Sequence, residues 1–287
     1  MNDLIKNINL ENNICITGLT FELNIFYVLE KFRLSTENVL VVTNSLYEAN
    51  QIYNNLLTYT SDVLLFPMDD FLTSVALAIS PDLKMKRLET IQSLNSNSKK
   101  IVITNLMGYL KYLPKKEEAN NYINKIIVND KIKREDIIET LEKLGYKRES
   151  LVTSTGEYAV RGYIIDVFII DAEHPYRIEM FGDEIDNIRI FNENTQISIT
   201  KINEISLYPF SELETEDKVS LYEYMNNPLV IYYNFDQIKA GYKKLTQEIF
   251  DYNISMNQDS NKKYMFNMDQ ITVKNSNYIG DFNSSCN

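Results

Sequence analysis

Arginine and aromatic side chains share one face of a predicted strand in the middle of the chain. Period-two alternation over residues 176–181 places Arg177, Glu179 and Phe181 on one face and apolar side chains on the other. Protein interfaces favour arginine and aromatic residues, because a planar guanidinium and a rigid ring bury area at modest entropic cost. If the apolar face packs on a core, the other face is suited to binding a protein. The same pattern is compatible with Phe181 packing under a neighbouring helix.

A second arginine, Arg161, lies in the preceding predicted strand, directly before Gly162. Its aliphatic stem could cover apolar surface, and its charge could be neutralised by a neighbouring acid such as Glu179. Three acidic residues cluster near the turn that closes the next hairpin, namely Asp183, Glu184 and Asp186. Acids clustered on a turn are typical of a solvated hairpin end.

Catalytic and metal-binding patterns are not recognisable. The single histidine, His174, has no cysteine or second histidine nearby, so neither a zinc site nor a catalytic triad is predicted. Residues 17–22 (TGLTFE) follow the first predicted strand but lack the lysine of a phosphate-binding GxxxxGK[ST] loop. A working nucleotide site would also have an Asp-Glu pair after a later strand, but residues 234–236 (NFD) follow that strand here. We therefore predict no catalytic residue, no metal, no cofactor and a dead nucleotide site.

Composition favours a globular protein that binds other proteins. The 287 residues are enough for two domains, with 44% hydrophobic and 24% charged residues. The formal net charge of −11 argues against autonomous DNA binding, because affinity for nucleic acid comes largely from neutralising phosphates. No apolar run approaches the ~20 residues that span a bilayer. With no secretory signal, and with Cys15 and Cys286 near opposite ends, we predict a cytoplasmic protein without a disulfide framework.

Short apolar runs alternate with helical patterns in the first part of the chain. This alternation predicts parallel βαβ units, with strands at 12–17, 38–43, 62–66 and 100–104 and helices at 21–32 and 45–57. A predicted helix over 133–144, ended by Gly145, precedes a β-rich part. Later elements are a helix at 214–224, a strand at 229–233 and a helix at 236–252, before a weakly periodic tail.

The predicted fold class is α/β: a degenerate P-loop-like parallel sheet domain with a smaller α+β domain inserted into it. Its predicted boundaries are 1–118 for the first segment, 119–204 for the insertion, and 205–287 for the second segment with a poorly structured tail.

Several segments carry a family resemblance. They resemble the damage-recognition module shared by UvrB and the bacterial transcription-repair coupling factors, and their details favour the coupling factors. The segments are 156–162 (GEYAVRG), 164–168 (IIDVF), 176–186 (YRIEMFGDEID) and 188–191 (IRIF). Weaker matches flank them at 66–67, 80–82, 87–89 and 101–105. The resemblance runs from about residue 10 to about residue 240.

The resemblance implies a recruitment module for nucleotide excision repair. In these families the surface that docks the repair ATPase UvrA uses arginines at the positions of Arg161 and Arg177 and an aromatic at the position of Phe181. The resemblance also includes three acidic residues, which we interpret as part of the scaffold: Glu157, Asp166 and Glu179. The chain would be an N-terminal fragment that recruits UvrA to RNA polymerase stalled at DNA damage. The parts that contact RNA polymerase and translocate on DNA with ATP would lie outside it.

Two other functions fit parts of the pattern. A UvrB-like, DNA-loading ATPase would need a lysine near Thr20 and a long aromatic-rich hairpin to clamp a strand, and neither is recognisable. An autoinhibitory structural domain that folds back on a motor is also compatible with the resemblance.

Overall fold

The computed structural model describes residues 12–75, 80–96, 98–170, 172–212 and 217–280. The chain divides into two compact units, one formed by residues 1–113 and 217–287 and the other by 114–216. The predicted insertion, 119–204, lies within the second unit. Within the described ranges, no helix combines the length and apolar character needed to cross a membrane.

The strands are numbered in chain order. They are β1 (Cys15–Thr17), β2 (Val39–Thr43), β3 (Val63–Phe66), β4 (Ile101–Asn105), β5 (Leu113–Pro114), β6 (Asn124–Ile127), β7 (Lys147–Arg148), β8 (Glu157–Arg161), β9 (Ile164–Val167), β10 (Tyr176–Phe181), β11 (Glu184–Phe191), β12 (Ser198–Ile202), β13 (Glu204–Leu207), β14 (Lys218–Val219), β15 (Leu229–Tyr233) and β16 (Ser276–Gly280).

The helices follow the same convention. They are α1 (Phe21–Leu34), α2 (Leu46–Leu57), α3 (Phe71–Val75), α4 (Pro81–Ser93), α5 (Leu106–Leu110), α6 (Lys116–Asn121), α7 (Arg134–Lys143), α8 (Leu221–Tyr224) and α9 (Phe235–Ser255), with a 3₁₀ turn at Met268–Gln270.

The first unit is built on a six-stranded parallel sheet in the order β1-β16-β15-β2-β4-β3. Strands β2 and β4 are buried at every position, as expected for a parallel sheet with helices on both faces. Ser45 and Glu48 form a capping box that starts α2 directly after β2. The predicted mixed α/β architecture is therefore confirmed for this sheet, whereas its P-loop-like character stays a prediction.

The part of the chain from residue 253 to 280 corrects the prediction of a poorly structured tail. Helix α9 continues to Ser255, and β16 enters the parallel sheet between β1 and β15. The polar residue Asn277 is buried in β16, where its amide donates to the Tyr27 hydroxyl at 2.5 Å. Because this buried polar residue interrupts the apolar pattern of β16, hydrophobic periodicity did not predict the strand.

Two further predictions are corrected in the first unit. The helix predicted at 214–224 begins only at Leu221, because Ser220 and Glu223 form a capping box at its start. Residues 213–216 lie outside the described ranges.

Cys15 is disulfide-bonded, against the expectation from sequence spacing. Its strand β1 pairs with β16, so separation along the chain does not mean separation in space. Cys286 lies outside the described residues.

The second unit has a six-stranded sheet in the order β12-β11-β10-β9-β8-β7. Its neighbours are antiparallel except for the short β7–β8 pair. Helix α7 and the inner face of the sheet share one hydrophobic cluster, which includes Ile137, Leu141 and Ile178. Gly145, with φ +87°, follows the last turn of α7 as predicted. The opposite face of the sheet carries the candidate site.

Candidate protein-docking site

The outer face of the second sheet collects charged side chains from neighbouring strands. Arg177 on β10 lies directly opposite Asp166 on β9 and Arg189 on β11. Residues directly opposite each other in antiparallel strands project to the same face. The two arginines and the aspartate therefore form one row across three strands.

Asp166 is the shared acceptor of both predicted site arginines. Its carboxylate oxygen Oδ1 accepts from Arg177 Nε at 2.7 Å, and Oδ2 accepts from Arg177 Nη2 at 2.9 Å. Arg161 Nη2 donates to the same Oδ2 at 2.5 Å. Only 1% of the Asp166 side chain is exposed. A buried carboxylate needs such charge-assisted bonds, and the bidentate fork fixes the plane of the Arg177 guanidinium.

The two arginines differ in how much of each faces solvent. Arg177 is 14% exposed, its guanidinium lies 4.3 Å from the centre of the Phe191 ring, and its Nη2 also donates to Gln196 Oε1 at 2.9 Å. The hydrogen bond to Asp166 raises the pKa of Arg177. Arg161 is 46% exposed and bonds Asp166 through one nitrogen. Arg161 thus offers free donor capacity to a partner, whereas Arg177 is mostly built into the sheet.

Glu179 forms a salt bridge with Arg189, whereas the sequence alone suggested Arg161 as its partner. Its carboxylate accepts from Arg189 Nη2 and from Asn187 Nδ2, the latter at 3.1 Å. The interpretation that a neighbouring acid neutralises Arg161 is confirmed, but that acid is Asp166 and not Glu179, because the register places Ile164 between Arg161 and Glu179. Arg189 itself was missed, because a β-bulge between Glu179 and Met180 shifts the register; the two-residue turn after Phe181 alone would place Ile188 opposite Arg177.

Phe181 projects from the end of β10 into solvent, with 84% of its surface exposed. Ile178 and Met180, on the other side of the strand, are buried. The predicted alternation is confirmed, and the alternative in which a helix covers Phe181 is wrong. A phenylalanine exposed to this degree beside charged residues is the kind of anchor found at protein interfaces.

Other residues singled out in the sequence serve the scaffold or the solvated surface. The Glu157 carboxylate accepts from the backbone amides of Thr153 and Ser154 at 2.8 and 2.9 Å, which holds the loop before β8. His174 Nδ1 lies 3.0 Å from Glu193 Oε2. Glu193 has a lowered pKa, caused first by a backbone hydrogen bond and then by His174.

The acidic residues at the β10–β11 turn, Asp183, Glu184 and Asp186, are all exposed. In the ranges that the structure describes, no three potential metal ligands come together.

The loop expected to resemble a P-loop joins β1 to α1. Gly18 has φ +79°, and the Thr20 hydroxyl accepts from the Leu23 amide at 3.4 Å, so it caps α1. Strand β1 is the terminal strand in the order of the parallel sheet. After β15, Asn234 adopts a left-handed conformation and donates to Glu48 at 3.4 Å. These polar groups are engaged with the chain's own atoms.

Comparisons with known proteins agree with this architecture. Residues 125–213 match the UvrB interaction domain family. The transcription-repair-coupling factor of Staphylococcus aureus strain MRSA252 is 34% identical over 211 residues. Those of S. aureus strain USA300 and Staphylococcus haemolyticus strain JCSC1435 are each 33% identical, over 211 and 209 residues. Each alignment covers 72% of this chain but only 18% of the relative.

The matched range 125–213 contains the six-stranded, mostly antiparallel sheet and its outer face, so the second unit is similar to a UvrB interaction domain. The longer alignments confirm the resemblance stated from the sequence: the chain is similar to the UvrB-homology module of transcription-repair coupling factors, a class of DNA-repair protein. The chain spans less than a fifth of those relatives' length.

Proposed function

We propose that this chain docks UvrA and thereby recruits nucleotide excision repair to RNA polymerase stalled at DNA damage. The observation that carries the proposal is the outer face of β8 to β11, where Phe181 is exposed and Arg161 keeps free donor capacity. A rigid aromatic anchor flanked by a charged, hydrogen-bonding rim is the usual anatomy of a protein-docking surface. The match of residues 125–213 to the UvrB interaction domain supports UvrA as the partner.

The three candidate contacts have separate roles in this proposal. Phe181 inserts into an apolar pocket of UvrA and supplies most of the buried area. Arg161 pairs with an acidic group of UvrA through the nitrogens that Asp166 leaves unused. Arg177 mainly orients the surface, since its guanidinium is held by Asp166, Gln196 and the Phe191 ring.

The chain itself hydrolyses no nucleotide in this account. The loop after β1 has no lysine to reach a phosphate, and its Thr20 hydroxyl caps α1. Contacts with RNA polymerase and ATP-driven movement on DNA belong to other parts of a full-length coupling factor.

Direct binding to purified UvrA tests the proposal. The immobilised chain should bind UvrA in biolayer interferometry, and Phe181→Ala should weaken binding by about 2 kcal/mol, or about 30-fold, if the ring is a buried anchor. Tyr122→Ala is the matched control, because it removes an exposed aromatic at the end of α6, outside the six-stranded sheet. Failure of the unaltered chain to bind UvrA would overturn the proposal.

A further inference from the structure

Strand register brings three cations into line on the outer face of the second sheet. Arg177 on β10 lies directly opposite Arg189 on β11, and Arg189 lies directly opposite Lys201 on β12. Directly opposed residues of antiparallel strands project to the same face. These three side chains, which we name the cationic row, therefore reach β12, the terminal strand in the order of this sheet.

The members of the cationic row differ in whether an acid neutralises them. Arg177 forms its bidentate pair with Asp166, and Arg189 pairs with Glu179. Lys201 is exposed, and in the part of the chain that the structure describes no acidic side chain pairs with it. Lys201 is therefore the member of the row whose charge is available to a partner.

The ion pairs leave a positive surplus on this part of the surface. Asp166 is shared by Arg161 and Arg177, so the two acids Asp166 and Glu179 serve both of these arginines, Arg189 and the neighbouring Lys201. Four cations set against two acids leave two positive charges uncompensated. The chain as a whole has a formal net charge of −11, so this surplus is opposite in sign to the rest of the molecule.

The arrangement of Arg189 and Lys201 is unfavourable for the fold alone. Like charges directly opposite each other in a sheet destabilise it, and Glu179 offsets only part of this repulsion because it lies on the far side of Arg189, on β10. An acid at position 201 would instead pair with Arg189 across the strands. A residue that is less favourable for stability than its opposite is typical of a surface that serves binding.

We propose that the cationic row binds an acidic segment of UvrA, so that the docking surface extends across β11 to Lys201 on β12. This inference rests on the proposed function. Charge complementarity selects the occupant, because carboxylates of a partner supply the acceptor that Lys201 lacks. The other common polyanion, the phosphate backbone of DNA, is disfavoured by the net charge of −11.

Lys201→Glu in the full 287-residue chain, titrated with purified UvrA by interferometry, tests this inference. We expect the dissociation constant to rise about tenfold, because charge reversal replaces attraction by repulsion. Lys201→Met should lose less affinity and should make binding less dependent on salt, whereas Lys201→Arg should retain the affinity. Lys143→Glu is the matched control, because Lys143 is an exposed lysine on α7, which packs on the opposite face of the sheet.

The melting temperature separates a role in binding from a role in the fold. Because an acid at position 201 faces Arg189, Lys201→Glu should melt at the same temperature as the unaltered chain or higher. Weaker UvrA binding by a variant of equal or greater stability supports the inference. A melting temperature that falls together with the affinity in both Lys201→Glu and Lys201→Met would assign Lys201 to the fold and overturn it.

The remaining outcomes separate this inference from the function on which it rests. If Phe181→Ala weakens UvrA binding and Lys201→Glu does not, the cationic row is no contact while the function stands. If the unaltered chain does not bind UvrA, the proposed function fails and the inference with it. If Lys201→Glu loses affinity only for duplex DNA in fluorescence anisotropy, the row binds phosphate and the inference is overturned.

Discussion

At the residue scale, Asp166 gives the two arginines unequal roles. Its buried carboxylate takes two hydrogen bonds from Arg177 and one from Arg161. Removing Arg161 leaves the bidentate pair in place, whereas removing Arg177 leaves a buried charge with one half-exposed partner. Substitutions of Arg161 therefore report mainly on binding, and substitutions of Arg177 report on both binding and folding.

Arg177→Glu should consequently lower the free energy of unfolding by about 3 kcal/mol, because breaking a buried ion pair strands the remaining charge. Urea denaturation followed by circular dichroism measures this loss. Arg33→Glu is the control, because Arg33 is exposed on α1 and pairs only with Glu30 on the same helix; it should change stability by less than about 1 kcal/mol. Equal stability of the two variants would contradict the structural role of Arg177.

At the element scale, the two glycines in the loops on either side of β8 are required for different reasons. Gly156, before β8, has φ +86°, and an added Cβ would lie 2.1 Å from the Phe210 ring. Gly162, after β8, also has positive φ but faces open space. The first glycine is required by backbone conformation and by packing, and the second by conformation alone.

Gly156→Ala should therefore destabilise the chain by about 3 kcal/mol or more, the sum of left-handed backbone strain and overpacking. Gly162→Ala should lower the free energy of unfolding by only about 1 kcal/mol, because only the left-handed backbone strain applies there. Thermal denaturation of both variants gives the comparison. A larger loss for Gly162→Ala than for Gly156→Ala would contradict the packing of Phe210 against Gly156.

The elements also show why some of the structure was predictable from the sequence. Strand β10 alternates apolar and polar residues, so the pattern indicated its two faces and the projection of Phe181. Strand β16 lacks such a pattern, because Asn277 occupies a buried position through a hydrogen bond to Tyr27. Pairing partners such as Asp166 with Arg161 depend on strand register across hairpins, which local periodicity does not specify.

At the scale of the whole molecule, a parallel α/β unit is interrupted by the unit that carries the candidate site. The first unit is a parallel α/β sheet, and the residues after β1 and β15 lack the lysine and the Asp-Glu pair of a working nucleotide site. In our account it serves as a scaffold, and its nucleotide site has no function.

Isothermal titration with Mg-ATP should accordingly show no binding to the chain. The reason is the missing lysine after Gly18 and the missing Asp-Glu pair after Tyr233. Intact UvrB, in whose family the loop is kept, provides the positive control under the same conditions. Micromolar binding by this chain would revive the alternative of a UvrB-like, DNA-loading ATPase.

The most direct test of the central claim is the affinity of Arg161→Glu for purified UvrA, measured beside its melting temperature. We predict that the variant folds normally, because Arg177 still pairs with Asp166, and that UvrA binding weakens by about 30-fold or more, since charge reversal turns an interface attraction into repulsion. Arg161→Ala should lose less affinity, and Arg33→Glu should lose none. A folded Arg161→Glu variant that binds UvrA as tightly as the unaltered chain would contradict this account.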